Sequence, residues 1–97
     1  MEVGDINNMP SISKFYGITI YMYLSDNNQH HRPHIHAIYS GEEAIFDIEN
    51  VRVLEGKIPK KQTRLAQAWI EIHKDELMEN WKLAIARKEV YKIEPLR

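Results

Sequence analysis

The chain has 97 residues, of which 43% are hydrophobic and 28% are charged, and its formal net charge is -1. This length supports one domain with one core, and the composition is that of a globular domain rather than a disordered segment. The near-zero net charge excludes a general attraction to nucleic acid or acidic membranes, so such binding requires a local patch. The chain has no cysteine and no apolar run of membrane-spanning length. We therefore expect a cytoplasmic protein without a membrane span.

The first half of the chain has the pattern of a β-sheet. Residues 1–8 are polar and weakly patterned, and we interpret them as a flexible lead-in to a single α+β domain at residues 9–97. Apolar and polar residues then alternate, which is typical of half-buried strands. The strands predicted from this pattern cover residues 12–16, 18–24, 34–39, 43–48 and 51–54. The third and fourth of them form a hairpin.

The second half of the chain has the pattern of helices. After Pro59, a residue that suits the first helical position, apolar residues recur at helical spacing. A stripe that includes Trp81 is out of phase with an earlier stripe that includes Trp69. We therefore predict two helices with a break near residues 73–75, and we expect Asp75 to be the N-cap of the second helix.

Together these elements predict an α+β fold, a small antiparallel sheet of about four to five strands covered on one face by one or two C-terminal helices. Residues 90–96 add either an edge strand or a packed tail. Successive strand residues point to opposite faces, so Ile35 belongs to the core face while His34 and His36 lie opposite. We call this opposite face, which also carries Asp47, the His face. We expect it to be exposed or to face a partner.

Three motifs carry a resemblance to a known family. They are Met-Pro-Ser-Ile-Ser-Lys-Phe-Tyr-Gly-Ile at residues 9–18, Pro-His-Ile-His-Ala at residues 33–37 and Glu-Leu-Met-Glu-Asn-Trp at residues 76–81. In this order the chain resembles the bacterial domain of unknown function 4160 family over residues 9–96. Arg32 stands where members usually have a second proline, and His30 matches a histidine often found in members. The resemblance implies a small prokaryotic protein encoded beside another small protein, as in toxin–antitoxin pairs, and it implies no catalytic assignment.

The residues with the clearest chemical potential are His34 and His36. Two residues apart on a strand, their imidazoles point the same way and can share one divalent transition metal such as zinc. Asp47 or Glu49 on the neighbouring strand, or His30 and His31 in the loop, could complete a set of three ligands. The candidate metal ligands that we select are His30, His34 and His36. Asp47 is the carboxylate that would orient a catalytic histidine, so His34, His36 and Asp47 are the candidate catalytic residues. The structural alternative is that both histidines only hydrogen-bond to Asp47 and nearby tyrosines.

Two further groups are candidates for nucleic-acid binding. Tyrosines on the polar side of the second strand, with an arginine nearby, are similar to sheets that stack single-stranded bases. Cations at the start of the first helix are suited to phosphate. The candidate binding residues are Tyr21, Tyr23, Arg32, Lys60, Lys61 and Arg64. The structural alternatives are cross-strand aromatic packing and solvated charges.

The function that we predict combines these features. It is a toxin–antitoxin-type module that binds a small protein encoded nearby and also RNA. Open sheet edges would in addition permit a homodimer. The alternative is a nuclease or other hydrolase that uses His34 and His36, either with a metal or with a histidine as the general base.

Overall fold

The computed structural model of this protein describes residues 10–22 and 32–97. Five strands precede two helices, which confirms the predicted α+β fold. The strands are β1 (Ser11–Phe15), β2 (Ile18–Tyr21), β3 (His34–Tyr39), β4 (Glu42–Asp47) and β5 (Arg52–Gly56). The helices are α1 (Lys60–Ile72) and α2 (Lys74–Ile85). The predicted lead-in, residues 1–8, lies outside the described residues.

The strands form one antiparallel sheet in the order β1-β2-β3-β4-β5. Two tight hairpins connect neighbouring strands. Tyr16 and Gly17 form the turn between β1 and β2, and Ser40 and Gly41 form the turn between β3 and β4. All four turn residues have positive φ, between 48° and 84°. Two-residue turns with positive φ at both positions match the right-handed twist of the flanking strands.

The core lies on the sheet face predicted from the alternation. Ile35 pairs with Phe46 and Ala37 pairs with Ala44, as expected if these side chains share a face. All four are fully buried, and the same core cluster contains apolar residues of both helices. The ring of Trp69 in α1 lies 5.3 Å from that of Phe15 in β1, so the first helix packs on this face.

The two helices are separated by a single residue, as the phase change predicts. His73 lies between them and is the N-cap position of α2. The expectation that Asp75 is the N-cap is therefore wrong, because the break is shorter than the sequence pattern indicates. Asp75 lies in the first turn of α2, where its negative charge interacts favourably with the helix dipole. No helix in the described part of the chain is long and apolar enough to cross a membrane.

Helix α2 lies near the end of the sheet where β3 begins and β4 ends. The Nζ atom of Lys74 donates to the carbonyl oxygen of Glu49 at 3.1 Å, just after β4. Seven residues later, the ring of Trp81 lies 5.0 Å from the ring of His34, the first residue of β3. This position of α2 determines the surroundings of the His face.

The C-terminal residues pack as a tail along β1 and form no strand. The Ile93 N–H donates to the carbonyl oxygen of Ile12 at 2.8 Å, and the Ile93 side chain is buried. The side chain of Asn80 in α2 both donates to and accepts from the backbone of Tyr91. The tail therefore lies against one edge of the sheet, whereas β5 forms the other edge.

Candidate functional site

His34 is buried at the start of β3, with 3% of its surface exposed. Its Nδ1–H donates to the carbonyl oxygen of Arg32 at 2.8 Å, since a carbonyl can only accept. In the neutral ring the lone pair is therefore on Nε2. The His34 ring also packs against the Trp81 ring, with 5.0 Å between the ring centroids, and this contact restricts the orientation of the imidazole.

His36 is held in a similar way by a carboxylate. Its Nδ1–H donates to Glu43 Oε2 at 2.8 Å, and 6% of the residue is exposed. The His34 and His36 rings are 5.3 Å apart between centroids, with an interplanar angle of 62°. Glu43 was not among the predicted site residues. The available signal was its place on the His face of β4, where it pairs with Ile38 and lies diagonally across from His36.

Asp47 is fully buried opposite His34 in the β3–β4 register. Its Oδ2 accepts from Arg32 Nε and from Asn50 Nδ2, each at 3.0 Å, and its Oδ1 accepts from the Glu49 N–H at 3.0 Å. Burial raises the pKa of Asp47, but these hydrogen bonds and one from the Asn50 backbone outweigh it and hold the pKa below its usual value. Asp47 is therefore ionised at neutral pH, and it holds both Arg32 and the β4–β5 turn.

The expectation that the His face is exposed is wrong for His34, His36 and Asp47, because all three are buried. Helix α2 passes the end of the sheet and places Trp81 against His34, and His34 in turn lies against His36. The turn that follows β4 encloses the Asp47 carboxylate. The alternation of the strands indicates which residues share a face, but it carries no information on where a helix passes a sheet end.

The chemistry open to this site depends on Nε2 of the two histidines. A metal-binding histidine usually donates its other ring N–H to a carbonyl or carboxylate, and His34 and His36 each do so. Within residues 10–22 and 32–97, no group of three His, Cys, Asp or Glu side chains is placed to hold a metal ion. His30, the predicted third ligand, lies outside the described residues.

The predicted binding residues fall in two separate places. Half-buried Tyr21 pairs with His36, and the Arg32 side chain, 45% exposed, lies beside Asp47. Tyr23 lies outside the described residues. The other group is exposed in the first turns of α1 and comprises Lys60, Lys61 and Arg64. The structure therefore joins Tyr21 and Arg32 to the His site but leaves the three cations as a patch of their own.

The family model for a domain of unknown function, DUF4160, matches residues 17–82. The chain belongs to the DUF4160 family. The match covers more than half of the chain and includes β2 to β5, both histidines of the site and Trp81. The family description names no activity. No curated protein and no solved structure matches the chain.

Proposed function

We propose that this DUF4160 protein is a protein-binding module, one half of a toxin–antitoxin-type pair, and that its small protein partner adds a strand to β5. The observation that carries the proposal is the difference between the two sheet edges. The β1 edge carries the C-terminal tail, with a backbone hydrogen bond from Ile93 to Ile12. In the described part of the chain, no backbone hydrogen bond reaches the outer edge of β5.

An open edge strand presents a row of backbone N–H and C=O groups that a partner strand can pair with. Binding by strand addition takes affinity from these main-chain bonds and specificity from the side chains beside them. In β5 those side chains include Val53, an apolar residue that is 37% exposed. The β5 edge therefore offers both the backbone groups and an apolar contact.

Co-expression with the small protein encoded next to its gene tests this proposal. We expect the two proteins to co-purify, and we expect Val53→Lys to abolish co-purification because lysine on an edge strand opposes strand addition. Ile85→Lys is the matched control, since it makes the same kind of change at a 64% exposed position at the end of α2. Failure of the wild-type proteins to associate, or equal binding by both variants, would refute the proposal.

RNA is a further ligand that we propose for this module, on the patch formed by Lys60, Lys61 and Arg64. None of these cations forms an ion pair within the described residues, and the first turn of α1 has no acidic side chain. Such a patch binds phosphate with a strong salt dependence. Substitution of all three by glutamine should lower RNA affinity and flatten its salt dependence. An unchanged salt dependence would remove this part of the proposal.

The second candidate function is hydrolysis, most simply of RNA, by the His34 and His36 pair with or without a divalent metal such as zinc. It is favoured by the hydrogen bonds that fix both rings with Nδ1 as the donor. A metal would be held by Nε2 of the two rings, with His30 as the third ligand, and would supply an activated water. Without a metal, Nε2 of one ring would be the general base.

Substitution of His34 and His36 by asparagine distinguishes the hydrolase function from a purely structural role of the two histidines. An asparagine amide places an N–H donor close to the Nδ1 position but has no atom at Nε2. His34→Asn with His36→Asn should therefore retain the fold while it abolishes metal binding and nuclease activity. Stoichiometric metal in the wild type and none in the variant would support the hydrolase. Equal metal content and equal activity in both proteins would refute it.

A further inference from the structure

The charges of this protein are unevenly distributed along the chain. Residues 52–64, which run from β5 into α1, contain five basic residues and one acidic residue, whereas the other 84 residues contain eight basic and 13 acidic residues. The acidic residue of the segment, Glu55, already has an interaction partner within the chain. We propose that the partner strand that adds to β5 is acidic and that its carboxylates pair with the cations of this segment. This inference rests on the proposed function, because it assigns the chemistry of the partner at the same edge.

The basic residues of the segment are available to a partner. They are Arg52, Lys57, Lys60, Lys61 and Arg64. All five are exposed, and none forms an ion pair within residues 10–22 and 32–97. The Asp47 carboxylate, whose residue pairs with Arg52 in the sheet, binds Arg32 instead. An acidic partner therefore gains these cations without breaking an ion pair that the described residues already form.

Helix α1 brings two of these cations to the side of β5. The helix begins four residues after β5 ends, and further along it Gln67 Nε2 donates to the Val51 carbonyl oxygen at 3.0 Å, just before β5 begins. Helix α1 therefore runs back along β5 in the opposite direction. At about 100° per residue, Lys60 lies about 20° and Arg64 about 60° from Gln67 around the helix, so both lie on the side of α1 nearest this edge.

Cations lie beside the edge on both faces of the sheet. Val53 pairs with the core residue Phe46, so Val53 lies on the face that α1 covers. Arg52 is its neighbour in the strand and points to the opposite face, the His face. A β-bulge follows in which Leu54 is the extra residue, so Glu55 shares the face of Arg52. The edge therefore has an apolar side chain at Val53, with Arg52 on one face and the cations of α1 on the other.

These positions define the side chains of the partner strand. Successive side chains of an added strand point to opposite faces, so one set lies beside Arg52 and the other beside Val53 and towards α1. A carboxylate across from Arg52 stabilises the strand pair, and carboxylates on the other face reach Lys60 and Arg64. The residue that contacts Val53 is apolar, so Val53→Lys still removes that contact. Because Lys60 and Arg64 also belong to the RNA patch, an acidic partner would displace RNA.

Surface plasmon resonance tests the inference, with the co-expressed protein immobilised and the full chain in solution. The triple variant Arg52→Gln, Lys60→Gln, Arg64→Gln should bind roughly tenfold more weakly than the wild type. The loss should lie mainly in the association rate, since charges at the rim of an interface steer the encounter. The wild-type association rate should fall between about 0.05 M and about 0.5 M salt, and that of the variant should change less.

A second triple variant is the matched control. It replaces Lys14, Lys82 and Lys88 by glutamine, which makes the same change in net charge at exposed cations outside residues 52–64. It should bind as the wild type does. Hydrogen exchange of the partner then identifies the strand that gains protection in the complex, and that strand should contain more acidic than basic residues.

Each outcome either supports or overturns the inference. Equal binding by the wild type and the first triple variant overturns it, and indicates that the cations only protect the edge from non-specific pairing. A protected partner strand without an excess of acidic residues overturns it as well. If Val53→Lys abolishes binding while the first triple variant binds normally, only the acidic character of the partner is refuted. If the wild type does not bind the co-expressed protein, the proposed function is refuted and this inference with it.

Discussion

Replacement of Asp47 tests whether this buried carboxylate holds the β4–β5 turn and Arg32. Asp47→Ala removes the hydrogen bonds that Arg32, Glu49 and Asn50 donate to an ionised, fully buried group. Bonds of this type contribute about 1.5–3 kcal/mol each. Arg32 is 45% exposed and Asn50 is exposed, so water can replace part of their loss. We therefore expect a loss of about 2–4 kcal/mol in the free energy of unfolding, and about half of that for Asp47→Asn, which retains an acceptor oxygen.

The lowered pKa of Asp47 determines how the stability difference between the wild type and the variants changes with pH. Because the folded-state pKa of Asp47 lies below its unfolded value, its ionisation stabilises the fold above the unfolded pKa, and that stabilisation is lost as the pH falls through the folded pKa. Urea denaturation near pH 7 and about pH 3 should show the wild type and Asp47→Asn converging in acid. Equal stabilities at neutral pH, or a difference that widens in acid, would refute the role given to Asp47.

Three other substitutions test the packing by the same denaturation assay. Trp81→Ala should cost about 3–5 kcal/mol, because Trp81 is buried against His34, and a loss below about 1 kcal/mol would contradict that contact. Ser13→Ala should be neutral or stabilising, because the buried Ser13 hydroxyl has no hydrogen-bond partner among residues 10–22 and 32–97, and a clear loss of stability would indicate that one exists. Gly56→Ala should cost at least about 2 kcal/mol, because Gly56 has a φ of 80° and a Cβ there would lie 2.3 Å from the Glu43 carbonyl oxygen. An unchanged midpoint for Gly56→Ala would contradict the close approach of β5 to β4.

The strands and the core face could be predicted from the sequence because they depend on short-range patterns. Alternation alone indicates that Ile35 and Phe46 share a face, and their pairing confirms it. The phase change between the two helical stripes likewise predicts the break that lies at His73. These features follow from strand and helix periodicity.

The surroundings of the His site could not be predicted in the same way. Burial of His34 depends on Trp81, which is 47 residues later in the chain and reaches it only through the path of α2. The orienting carboxylate of His36 is Glu43, and that contact depends on side-chain reach across the hairpin. The bulge that places Arg52 and Glu55 on one face leaves no signal in the alternation. Such long-range and irregular features are absent from local patterns.

Hydrogen exchange of this protein, alone and with its co-purified partner, tests the central claim most directly. If the partner adds a strand to β5, the amides of Arg52–Gly56 whose N–H groups point outward should gain protection in the complex, since they acquire main-chain hydrogen bonds. The amides of β1, whose edge the tail already occupies, should change little. Protection confined to the helices or to β1, with β5 unchanged, would contradict the account.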